Sequence, residues 1–75
     1  QCYAFARVLD GKAVVEVLNN GDTPAQLEFQ LPVEAAKVTD LLADTVGAQE
    51  VLVSTEWNRM KVQLPSNYAT LLRLE

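Results

Sequence analysis

Apolar and polar residues alternate with a period of two along nearly the whole chain, and turn-forming residues interrupt the alternation every eight to twelve positions. That pattern predicts an all-β antiparallel domain of seven or eight short strands. The first strand spans 3–9, with Tyr3, Phe5, Arg7 and Leu9 on one face and Ala4, Ala6 and Val8 on the other. Asp10-Gly11 supplies a two-residue hairpin turn. A second strand follows at 12–19, where Ala13, Val15 and Val17 oppose Lys12, Val14, Glu16 and Leu18. Asn19-Asn20-Gly21-Asp22 is a second turn. In 25–31, Ala25, Leu27, Phe29 and Leu31 point inward and Gln26, Glu28 and Gln30 outward, with Pro24 and Pro32 as boundaries.

The second half is less regular. Residues 33–36 form a connection with the option of one helical turn, 37–42 a short strand, and 43–50 a loop around Gly47. A strand at 51–53 leads to a turn at 55–58 with Trp57 near its tip. Met60, Val62 and Leu64 then alternate with Arg59, Lys61 and Gln63; Pro65-Ser66-Asn67 turns the chain into a last strand, 68–74. An open sheet of so many strands would leave an apolar face wet. Two packed sheets avoid that, so the expected architecture is a two-sheet β-sandwich of Greek-key type. No window sustains the 3.6-residue period of a long helix.

Composition narrows the picture. Seventy-five residues make one domain, and 49% apolar content is too high for a disordered tail. The net charge is −4, and the six basic residues are scattered, which argues against a nucleic-acid surface. No apolar run approaches the ~20 residues of a membrane-spanning helix. Cys2 has no partner for an intramolecular disulfide, which tilts the expectation toward a reducing compartment such as the cytoplasm, or toward a domain supported by a larger body. The chain starts and stops within strand-like sequence, so it reads as a piece of something longer.

Candidate chemistry is sparse. Without histidine, the commonest general base and metal ligand is missing. One cysteine makes no zinc site, and no Walker-type glycine loop occurs. No cofactor or metal is expected. Among carboxylates, Asp10 and Asp22 sit in turns, Glu16 and Glu28 on outward strand faces, and Asp44, Glu50 and Glu56 in loops. None reads as catalytic, since an active-site pair needs burial in a shaped pocket. Asp40 lies within a strand-like run and reads as a residue bonding nearby amides. Trp57 has two readings: core folded over the sandwich end, which is favoured, or a loop platform stacking on a sugar ring with Asn58 beside it. Tyr3, Phe5, Phe29 and Tyr68 read as core or docking surface.

Residues 3–32, "YAFARVLDGKAVVEVLNNGDTPAQLEFQLP", taken with "VTDLL" at 38–42, "MKVQLP" at 60–65 and "YATLLRL" at 68–74, form a recognisable succession. It resembles the C-terminal β-domain of α-amylase-family enzymes, glycoside hydrolase family 13. The resemblance is greatest to the cyclomaltodextrinase, neopullulanase and maltogenic-amylase branch. It extends over the whole chain in order, through strand patterns more than any single motif. Two stretches depart from the family pattern. Residues 43–50 replace a compact Thr-Gly turn, and Pro65-Ser66-Asn67 replaces a Pro-Pro or glycine turn.

The resemblance implies a parent enzyme that hydrolyses or transfers α-glucosidic bonds, with its catalytic Asp, Glu and Asp in a preceding barrel. None of those motifs is in this chain, so no catalytic residue carries over. The implied role is an accessory domain packed on the catalytic barrel, and it predicts an exposed apolar patch through which the isolated domain would also dimerise. Two alternatives stand beside it. One is a carbohydrate-binding module using Trp57 and Asn58 to hold α-glucan. The other is an unrelated β-sandwich interaction module, for which the disulfide-and-tryptophan signature of antibody-like domains is missing.

Overall fold

The structure, a computed structural model, describes residues 2–75. Seven strands form two antiparallel sheets, as the alternation predicts. They are β1 (Cys2–Leu9), β2 (Lys12–Asn19), β3 (Ala25–Gln30), β4 (Val38–Asp40), β5 (Leu52–Glu56), β6 (Arg59–Leu64) and β7 (Tyr68–Leu74). One sheet has the order β1-β2-β7-β4 and the other β3-β6-β5.

The core lies between β2 and β7 on one side and β6 on the other. Val15, Val17, Leu72 and Leu74 face Met60, Val62 and Leu64, all at most 1% exposed. Period-2 alternation makes this possible, because every second side chain of a strand reaches the same face. Leu27, Phe29, Val53, Val38 and Tyr68 pack around that centre. Phe29 and Tyr68 thus support the core, as one of their two readings holds.

A buried polar group fastens one end of the sandwich. Asn19 ends β2 at 1% exposure, beyond a simple turn residue. Its Nδ2 donates to the carbonyl oxygens of Thr23 (2.9 Å) and Pro65 (3.0 Å). Its Oδ1 accepts from the Gly21 amide at 2.9 Å and from Cys2 Sγ at 3.6 Å. One side chain therefore ties β1, the turn after β2 and the β6–β7 turn together. Burying an amide is tolerable only with such partners.

Several expected boundaries shift for local reasons. The strand expected at 37–42 is paired only over Val38–Asp40. Asp40 Oδ1 accepts from the Leu42 amide at 3.0 Å and from the Thr70 hydroxyl, which turns the chain and places Leu41-Leu42 outside the strand. Asp40 thus bonds a nearby amide, as its sequence context suggests. Residues 33–36 form bends without a helical turn, and the Ala36 and Lys37 amides instead bond the Glu75 carbonyl at 3.0 Å. The last hairpin is tighter than the expected turn at 55–58: Thr55 and Glu56 belong to β5, and Trp57-Asn58 alone make the turn.

Candidate functional site

The two outer faces of the sandwich differ in chemistry. On the three-stranded sheet, Glu28 lies opposite Lys61, Gln26 opposite Gln63 and Gln30 opposite Arg59. Arg59 Nε also reaches Glu28 Oε1 at 3.1 Å. This face is polar from β3 to β6, as a solvated sheet surface should be.

The four-stranded sheet differs. Its outer face pairs Tyr3 with Leu18 and Arg7 with Val14 across β1–β2, and Leu71 of β7 continues the row beyond Glu16. Tyr3 and Phe5 stack with ring centroids 6.3 Å apart and planes 17° from parallel. Phe5 is 61% exposed and Leu9 76%. An exposed aromatic pair beside aliphatic side chains is unusual on a free surface and typical of a covered one.

The inner face of β1 is also open. Ala4, Ala6 and Val8 point to the side that buries Ala13, Val15 and Val17 in β2, yet all three are exposed. The edge strand β3 of the second sheet comes close to β1 but leaves these side chains exposed. β1, the edge strand of its own sheet and paired along its whole length with β2, has no buried residue.

Trp57 is the second feature. It is 93% exposed, which corrects the expectation that it folds over the sandwich end as core. The cause is its position. A two-residue hairpin points its loop side chains away from both sheets, and Trp57 adopts φ 58° to make that turn. Glycine or asparagine is the usual occupant of such a position, and a bulky residue there is strained. Grooves flank the hairpin tip on two sides. One brings Trp57 and Asn58 near Glu28, Glu56 and Arg59; the other brings them near Leu31, Val33 and Glu34. Trp57 and Asn58, both candidates from the sequence, are therefore neighbours on an open surface with mixed apolar and polar surroundings.

Among the described residues, no three His, Cys, Asp or Glu side chains come together in a way that would hold a metal ion. The sequence correctly placed Asp10 in a turn, at φ 52° beside Gly11. Glu56 sits at the end of β5 rather than in a loop. The exposure of β1 on both faces escaped sequence reasoning. Alternation identifies a strand but not whether the opposite sheet covers its side chains. No family model, no curated protein and no solved structure matches this chain.

Proposed function

We propose that this chain is a non-catalytic accessory domain of an α-amylase-family glycoside hydrolase, packing on and stabilising the catalytic barrel of an enzyme that acts on α-glucans. The family assignment comes from the sequence resemblance. The observation that supports docking is the exposed cluster of Tyr3, Phe5 and Leu9 on the outer face of the four-stranded sheet, where Phe5 lies opposite Glu16 and Leu9 opposite Lys12, against the outer face of the other sheet, where β3 and β6 pair polar residues throughout. An accessory cap gains stability by removing such a face from water, at roughly 25 cal/mol per Å² of apolar area before the costs of association.

The coding sequence directly upstream tests this reading. It is expected to encode a barrel bearing the catalytic Asp, Glu and Asp motifs. An unrelated domain there would overturn the assignment. Within such an enzyme, Phe5→Lys should lower the thermal midpoint while leaving the chemistry of the remote active site intact at low temperature.

A second reading has its own observation. Trp57 is exposed and strained at a hairpin tip, and strained backbone persists where something selects for it. In this reading its indole stacks on the apolar face of a glucose ring while Asn58 supplies a hydrogen bond. A maltooligosaccharide titration followed by Trp fluorescence tests it directly, since Trp57 is the chain's single Trp. Saturable quenching that disappears in Trp57→Ala supports a sugar platform. An unchanged spectrum at millimolar sugar removes it.

A further inference from the structure

The four sheet edges are not equally protected. β4 exposes only three residues. β3 lies between Pro24 and Pro32 and carries Glu28. β5 is five residues long and ends in Glu56. β1, by contrast, is eight residues long, without proline, and Arg7 is its one charge. Short length, proline and charge are the ordinary means of preventing strand addition at an edge. β1 has almost none of them.

Its open backbone groups have a definite pattern. Asp10 and Gly11 both take positive φ, 52° and 75°, the arrangement of a type I′ turn. Such a turn closes on Leu9 and Lys12 as a hydrogen-bonded pair. Alternation then directs the amides and carbonyls of Leu9, Arg7, Phe5 and Tyr3 toward β2. Those of Cys2, Ala4, Ala6 and Val8 face the open edge. The four open residues are arranged symmetrically about Phe5.

We propose that β1 is a homodimerisation strand: it pairs antiparallel with β1 of a second copy, with the twofold axis at Phe5, to make one continuous sheet. In this register Cys2 faces Val8 of the second copy and Ala4 faces Ala6, each twice. Every open backbone group finds a partner, giving about eight interchain hydrogen bonds at two per facing pair. Phe5 meets its own copy as a closely spaced pair, and Tyr3 meets Arg7, an aromatic ring against a guanidinium. No like charges lie directly opposite each other. The stacked Tyr3–Phe5 pair of each chain becomes half of a four-ring row. Tyr3 and Phe5 contribute both to this dimer and to the face proposed to dock on a barrel, but the open amides and carbonyls of Cys2, Ala4, Ala6 and Val8 belong to the dimer alone, so a substitution at the edge distinguishes the two.

Sedimentation equilibrium of the chain from about 10 µM to about 1 mM, a range spanning ordinary weak dimers, should show a monomer–dimer transition. Ala6→Pro removes an edge-facing donor without touching the β2 ladder, and Phe5→Lys places two cations at the axis. Each should weaken the dimer by at least about 100-fold. Phe5→Lys alters an exposed side chain, so the test stands even where Ala6→Pro does not fold. Ala6→Pro leaves Tyr3, Phe5 and Leu9 in place, so loss of the dimer with barrel docking retained separates the two surfaces. In a Cys2→Ser background, Phe5→Cys should crosslink under mild oxidation and Leu9→Cys should not. A monomer throughout the range, a dimer indifferent to both substitutions, or equal crosslinking at positions 5 and 9 would each overturn the proposal.

Discussion

The two arms of the first hairpin have the same length and the same alternation, and they pair residue for residue, yet they meet opposite fates. β2 buries Ala13, Val15, Val17 and Asn19, while β1 buries nothing. The difference is one of position. β2 is an interior strand, flanked by β1 and β7, whereas β1 is the edge strand of its sheet with a partner on one side only. A strand's local chemistry makes it a strand, but burial is decided by the layer opposite. In β1 the apolar side chains remain available to something outside the monomer, whereas in β2 they are used to hold the monomer together.

Substitutions should expose that division, starting with the largest effect. Leu72→Ala, at a fully buried position that packs with the inner face of β2, is expected to cost about 2–5 kcal/mol in urea unfolding. Leu9→Ala on β1 should stay within about 0.5 kcal/mol, because little burial is lost. Asn19→Ala should follow Leu72→Ala in size, at about 2–3 kcal/mol. It leaves the Gly21 amide and the Thr23 and Pro65 carbonyls without their partner, which chemical denaturation would register. A loss as large at Leu9 as at Leu72 would erase the contrast between the arms.

The smallest effect should have the opposite sign. Trp57→Gly relieves a left-handed residue at a hairpin tip and is expected to raise stability by about 0.5–1 kcal/mol. A destabilised Trp57→Gly protein would mean that the indole packs in solution, against its 93% exposure.

Much of this architecture was legible in the sequence. The inward sets Val15-Val17, Leu27-Phe29 and Met60-Val62-Leu64 all face the interior, because alternation reports the face directly. Asp10-Gly11 marked its turn through the left-handed dihedrals it tolerates. Three features were harder to read. The end of β4 depends on Asp40 reaching both the Leu42 amide and Thr70, the second a contact across thirty residues. The hub at Asn19 depends on carbonyls from two distant turns. Trp57 misled because tryptophan usually fills a core, while a two-residue turn allows its side chain no route inward. For the site, the residue identities were readable and their exposure was not.

Hydrogen exchange of the β1 amides tests most directly the claim that this strand is folded but left for a partner. In a dilute sample, the Ala4, Ala6 and Val8 amides should exchange within the dead time, while the Phe5 and Arg7 amides, bonded to β2, exchange slowly. At high concentration the three fast amides should become protected together. Protection of Ala4, Ala6 and Val8 already present in the dilute monomer, or rapid exchange that persists at every concentration, would contradict the account.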